Sequence, residues 1–193
     1  MRLGLIVEGH TEVQAVPELV RRWAAEAGVW VDIAPPRRVK RTQIRRPGEV
    51  ERHVKRLAQT QGPLGAVLLV IDADDDPWQT LESELQATGV ATGVPFRAVA
   101  AVRTFEAWPL AAKPSLAGVR GIRASAAVPA EGAEAVANGA SRLTANMDGG
   151  RRYLKTDDAP ALAARMDLAM ARANSPSFQR FCDALAALTT SAV

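Results

Sequence analysis

The stretch Leu3-Gly4-Leu5-Ile6-Val7-Glu8-Gly9-His10 decides how the rest of the chain is read. Five residues without a polar side chain stop at an acid followed by glycine. A continuous run of this kind, unlike an alternating one, reads as a strand covered on both faces. Helical spacing follows through Val13, Val16, Leu19, Val20, Trp23 and Ala27, so Glu8-Gly9-His10 is expected to be a strand-to-helix turn. Thr11 is the expected N-cap of that helix, and Pro17 predicts a kink or a later start.

The pattern repeats along the first half. Val29–Ala34 reads as a second strand, closed by Pro35-Pro36. A helix is expected over about 47–61 with Pro47 in its first turn. Ala66–Ile71 is a second buried strand, and it too ends at an acid, Asp72. A helix over 77–87 and a strand over 96–102 complete the series. Alternating strand and helix signals predict an α/β fold: a mainly parallel, Rossmann-like sheet with helices on both faces and a helical C-terminal extension. Residues 1–112 are expected to form the core, and 113–193 a mostly helical extension packed on the same domain. Residues 104–112 read as a short helix at the end of the core, and 114–150, in the extension, is rich in Ala, Gly and Ser with little periodicity. Residues 159–173 read as one helix, and Ser175-Pro176 as the start of a last helix burying Phe178, Phe181, Leu185 and Leu188.

Composition narrows the class. The chain has 193 residues, 48% of them hydrophobic and 23% charged, enough to bury a core without staples. Cys182 is the single cysteine, so no internal disulfide can form and a reducing, cytoplasmic setting is expected. No apolar run approaches the roughly 20 residues of a membrane helix, and the Leu3–Val7 run is too short for a signal-peptide core. The net charge is only +3, yet nine Arg and Lys stand between Arg37 and Arg56 against Glu49 and Glu51. Such a block can neutralise several phosphates, or it can simply be a solvated face. Arg37, Arg38, Lys40, Arg41, Arg45 and Arg46 are the candidate nucleic-acid contacts.

Ligands in open parallel sheets bind beyond the carboxyl ends of the strands. Glu8 and Asp72 both stand at such ends. Asp72 and Asp74 are two residues apart, which in extended geometry puts them on one face. Carboxylates about 4 Å apart repel by about 4 kcal/mol at an effective dielectric near 20, so converging acids must take up protons or bind a cation. Oxygen donors without His or Cys favour Mg²⁺ or Mn²⁺. Asp75 and Asp76 read as turn acids before a helix opened by Pro77. An EF-hand is excluded, because Pro77 and Ser83 stand where that loop needs Gly and Glu.

Leu5-Ile6-Val7-Glu8-Gly9-His10-Thr11-Glu12, followed by Val70-Ile71-Asp72-Ala73-Asp74, resembles the Toprim domain of topoisomerases, bacterial primases and overcoming-lysogenisation-defect nucleases. A nearer resemblance is to a small bacterial Toprim-like family found near mobile-element and defence genes. It is carried by Thr104-Phe105-Glu106-Ala107-Trp108, Tyr153-Leu154-Lys155 through Pro160, Arg165-Met166-Asp167 and Ser175-Pro176-Ser177-Phe178. The resemblance implies Mg²⁺- or Mn²⁺-dependent phosphodiester hydrolysis, on DNA rather than RNA. Glu8 would then be a metal ligand or general acid/base, Asp72 and Asp74 metal ligands, and Glu106 a ligand of a second metal. Lys155 would stabilise charge on the phosphate. Glu12 would support Glu8 from behind, or pair with Arg21 or Arg22. A partner protein such as an ATPase would select the substrate. The alternative is a non-catalytic module of the same type, binding nucleic acid or a nucleotide within a larger complex.

Overall fold

The computed structural model describes residues Met1–Thr190; Ser191, Ala192 and Val193, the end of the expected 113–193 extension, lie outside the described residues. The two apolar runs became neighbouring strands. β1 (Arg2–Val7) pairs in parallel with β4 (Ala66–Asp72), Leu3 opposite Ala66 and Val7 opposite Val70. β5 (Phe96–Ala101) adds in parallel to β4. Two short strands, β2 (Asp32–Ile33) and β3 (Arg37–Arg38), pair in parallel with successive halves of β1. The fold is therefore α/β with a parallel sheet.

Residue alternation sorts the core into two layers. Leu3, Leu5, Val7, Leu68 and Val70 face α1 (His10–Glu26) and the C-terminal helices. Ile6, Val67, Leu69 and Ile71 face α3 (Glu49–Gln61) and α4 (Trp78–Val90). The C-terminal part contributes α5 (Ala107–Ala111), α6 (Gly139–Ala145), α7 (Lys155–Ala163), α8 (Leu168–Asn174) and α9 (Pro176–Thr190). One continuous apolar cluster joins α1 and β1 to Leu162, Phe178, Phe181 and Leu185. No helix among the described residues is long and apolar enough to cross a membrane.

Several local expectations are corrected. The N-cap of α1 is Gly9, not Thr11, and the helix runs through Pro17 without a break. Thr11 lies inside the helix and is buried. Pro47 precedes α3, whose N-cap is Gly48 at φ +76, a left-handed conformation that suits glycine. The strand expected over 29–34 shrinks to two residues. The basic loop is not featureless: it holds β3 and the one-turn α2 (Arg41–Ile44). The single helix expected over 159–173 is two, because Asp167 accepts the Met170 amide (2.8 Å) and starts α8 afresh. A side-chain cap of this kind cannot be told by spacing alone from an acid on a helix face.

The outer edge of β5 has no neighbouring strand among the described residues. Side chains stand in for one. Gln86 donates to Phe96 O (2.9 Å) and accepts from Ala98 N (3.0 Å), Glu82 accepts from Ala100 N (2.8 Å), and Arg180 donates to Ala100 O (3.1 Å). An edge covered this way is closed to pairing with another chain.

Candidate functional site

The carboxyl ends of β1, β4 and β5 meet in a stitched corner. The Ala73 amide donates to Ala101 O (2.8 Å), and the Asp74 amide donates to Arg103 O (2.8 Å). Asp72 Oδ1 accepts the Phe105 amide (2.7 Å), which brings Asp72 against the segment carrying Glu106. Glu8 Oε2 accepts the Asp72 amide (3.3 Å). Glu8, Asp72 and Glu106 are thus brought to one place by backbone bonds, from positions far apart in sequence.

Asp74 departs from the expectation that it shares a face with Asp72. The strand ends at Asp72, and Asp74 takes φ +48. A left-handed, non-glycine residue costs of order 1 kcal/mol and reverses the alternation that the two-residue spacing assumed. Asp74 is exposed and ion-paired with Arg41 (3.4 Å). Arg41 is the clamp of this loop: it donates to the carbonyl oxygens of Asp72 and Ala73 and to Asp76. Arg45 also pairs with Asp76 (2.7 Å), and Arg103 with Asp75. The guanidinium groups of Arg41 and Arg45, both expected at nucleic acid, are engaged with the acidic loop.

On the other side of Glu8 stands a more enclosed group. Glu106, the N-cap residue of α5, is 1% exposed and pairs with Lys155 (3.2 Å), the first residue of α7. Glu12 is 5% exposed, and its Oε2 has no hydrogen-bond partner. It pairs with neither Arg21, which binds Glu18, nor Arg22, which binds Ala163 O. Tyr153 is 7% exposed and its hydroxyl also lacks a partner. Both atoms are buried in one cluster and have no hydrogen-bond partner among the described residues.

The electrostatics agree with the geometry. Burial, then Glu12, Glu106 and Glu8, push the Asp72 carboxyl well above the usual carboxylate range. Burial raises Glu8 as well, against the Asp72 amide and Arg41, with Asp74 and Glu12 adding to the rise. Burial and then Glu106 raise Glu12, against the nearby Gly9 and Glu12 amides and Lys155. Burial alone would pull Lys155 down, but Glu106, Asp72 and Glu12 outweigh it and hold the ammonium above the usual lysine range. The Tyr153 phenol is raised by burial and then by Glu106, Asp158, Glu12 and Asp72.

Remote residues build this cluster. A Cβ on Gly9 would stand 2.3 Å from Glu12 Oε2, so glycine is what lets that carboxylate lie across the turn. A Cβ on Gly139 would stand 2.6 Å from Glu106 Cβ. The aperiodic 114–150 segment thus supplies the wall behind Glu106 through the start of α6. Trp108 donates to Ser177 Oγ (2.9 Å) and packs on Phe105, Phe178 and Phe181, so the Phe-Glu-Ala-Trp and Ser-Pro-Ser-Phe segments meet. Asp158, fully buried, accepts from the Leu154 amide (2.8 Å), Arg120 (2.7 Å) and Arg151. It pins the turn that carries Tyr153 and Lys155. Tyr153 and Asp158 were not singled out as site residues from sequence, and Glu12 was expected only behind Glu8 or paired with an arginine; its place one helical turn after a strand-end acid is the signal that was present.

Every oxygen donor here is hard, and the open Glu12 Oε2 fits a divalent cation in kind. As the side chains stand, no three His, Cys, Asp or Glu groups among the described residues converge into a ligand set. Glu106 is turned to Lys155, and Asp74 to Arg41. The remaining candidates divide likewise. Arg37 donates to His53 Nδ1 (2.6 Å), while Arg38, Lys40 and Arg46 are exposed and unpaired among the described residues. No curated protein and no solved structure matches the chain. The family model described as a domain of unknown function, DUF4276, matches residues 7–186, and the chain belongs to that family.

Proposed function

We propose that this protein is a divalent-metal-dependent nuclease of the Toprim type, hydrolysing phosphodiester bonds in nucleic acid, DNA before RNA. The observation that carries the reading is Asp72 at the end of a central parallel strand, faced by Glu8, Glu12 and Glu106 with Lys155 across from them. Mutually repelling, partly buried carboxylates destabilise a fold unless something positive is bound among them. Asp72, Glu12, Glu106 and Glu8 would hold Mg²⁺ or Mn²⁺, and Asp74 would join on release from Arg41. When bound, such an ion neutralises phosphate charge and lowers the pKa of water.

The chain's own groups account for the rest. Glu8, whose carboxyl burial raises above its usual range, would take a proton from an attacking water. The water oxygen bonds to phosphorus, the bond to the leaving sugar oxygen breaks, and that oxygen takes a proton from solvent. Lys155 would leave Glu106 to meet charge on a non-bridging phosphate oxygen as an ammonium. The Tyr153 hydroxyl, a donor without a partner, is placed to bond a ligand oxygen in the same cluster.

A second reading has an observation of its own. Lys155 pairs with Glu106 at 3.2 Å, and a Glu106 neutralised by the chain's own lysine suits a non-catalytic module that binds nucleic acid within a larger complex. Supercoiled plasmid and single-stranded DNA incubated with Mg²⁺ or Mn²⁺ separate the two. The nuclease reading expects metal-dependent nicking that Asp72→Ala abolishes. Binding without cleavage under every metal, or equal cleavage by Asp72→Ala, defeats it.

A further inference from the structure

The basic block of residues 37–56 is not one surface. Arg41 and Arg45 hold the Asp72–Asp76 loop. A different set lines a cavity of about 510 Å³ between β3 and α3: Arg37, Arg52, His53, Lys55, Arg56 and Gln59. Four of these, Arg52, Lys55, Arg56 and Gln59, recur at helical spacing and form one stripe along α3.

The cavity has a built floor. His53 is 3% exposed, and its Nδ1 accepts the Arg37 Nε–H at 2.6 Å. The opposite ring nitrogen faces Gln43 (3.3 Å) and Glu49 (3.5 Å). A guanidinium held by its Nε keeps both terminal nitrogens available, and those of Arg37 make no hydrogen bond or ion pair among the described residues. Lys55 and Arg56 are exposed and form no ion pair among the described residues. Arg52 is matched by Glu49 at 2.6 Å, and Glu49 is the one carboxylate within ion-pair distance of the lining groups among the described residues. Planar, pre-oriented guanidinium groups with free donors suit phosphate oxygens better than they suit a diffuse solvated face.

The position relative to the acidic site follows from register. Arg37 lies opposite Ile6, two residues before Glu8 on β1. With strands about 4.8 Å apart and a rise of about 3.3 Å per residue, the Arg37 and Glu8 backbones are about 8 Å apart. That is within a few nucleotides along a strand rising roughly 3.4 Å per nucleotide. We propose that the β3–α3 cavity grips a backbone phosphate of a nucleic-acid strand running past the acidic site. The inference rests on the nucleic-acid reading above and adds to it which cations make the contact.

Binding of fluorescein-labelled duplex and single-stranded oligonucleotides, measured by anisotropy in EDTA at several salt concentrations, tests it without cleavage. The double variant Lys55→Glu/Arg56→Glu is expected to lose about tenfold or more in affinity at low salt, with the log–log salt slope flatter by about 1–2 on duplex. The control pair Arg165→Glu/Arg172→Glu, exposed on the C-terminal helical part and outside the basic block, is expected to lose less than threefold. Thermal melts show that both fold. Equal losses from the two pairs, or unchanged binding by the cavity pair, overturn the proposal, as does failure of the wild-type chain to bind either oligonucleotide at low salt. Competition by inorganic phosphate or a mononucleotide as effective as unlabelled oligonucleotide overturns it in favour of a small phosphorylated ligand. Cavity-dependent binding by a chain that never cuts keeps this inference and defeats the nuclease reading. Cutting that ignores the cavity pair does the reverse.

Discussion

Asp72 and Asp74–Asp76 are four aspartates within five residues, yet they live in opposite environments. Asp72 is surrounded by Glu8, Glu12 and Glu106, and its carboxyl is pushed far up. Asp74, Asp75 and Asp76 are each met by an arginine: Arg41, Arg103, and Arg41 with Arg45. One turn of backbone separates a cluster of repelling charges from a neutralised loop. The loop gains ion pairs that are individually weak at a surface, but it positions the carbonyls that Arg41 binds. In the cluster one ion pair, Glu106 with Lys155, stands against four carboxyls, and Asp72 itself meets no cation within ion-pair distance among the described residues, which is the pattern expected where stability is given up for a ligand.

The sharpest way to break the contrast is Arg41→Ala. It removes the guanidinium from the Asp72 and Ala73 carbonyls and frees Asp74, while Asp76 keeps Arg45. A cost of about 2–3 kcal/mol is expected, roughly 4–12 °C in Tm for a chain of this size. A melt within about 2 °C of wild type would show that the loop holds itself.

Asp72→Asn should act in the opposite direction. Asparagine can keep the acceptor for the Phe105 amide and removes the charge that Glu8, Glu12 and Glu106 oppose. Asp72, Glu8 and Glu12 have folded-state pKa values above their unfolded values. Their contribution to stability is full below about pH 4 and is lost as pH rises through the folded values. The metal-free variant is therefore expected to match wild type near pH 4 and to exceed it at pH 7, by about 1–2 kcal/mol or roughly 2–8 °C. Mg²⁺ or Mn²⁺ should narrow that gap by stabilising only the wild type. A variant less stable than wild type at pH 7 would mean that Asp72 is held by its surroundings rather than opposed by them.

The smallest effect belongs to Tyr153→Phe. The hydroxyl has no partner to lose, so the melt is expected to move by no more than about 1 kcal/mol, upward if at all. A fall in Tm of more than about 4 °C would reveal a bond that the present arrangement does not contain.

How legible was all this beforehand? The two buried strands, the acids at their ends and the parallel arrangement were readable because continuous apolar runs and strand-end acids are local signals. The placement of Asp74 was not. Spacing assumes an extended chain, and φ +48 is set by the Asp74–Arg103 backbone bridge between two loops. The role of Arg41 was equally hidden, since a basic block reads as one charge patch until the fold divides it. Glu12 was visible as a residue and invisible as a buried one, because its burial comes from α7 and the segments around Glu106, more than ninety residues away.

Hydrophobic periodicity and chain order were enough to imply the parallel core and the strand ends that carry carboxylates. Which acids face one another, which arginines are already occupied and where the open donors lie emerged only in the folded chain. Those are questions of side-chain direction and long-range contact, and one backbone dihedral or one buried histidine is enough to change their answer.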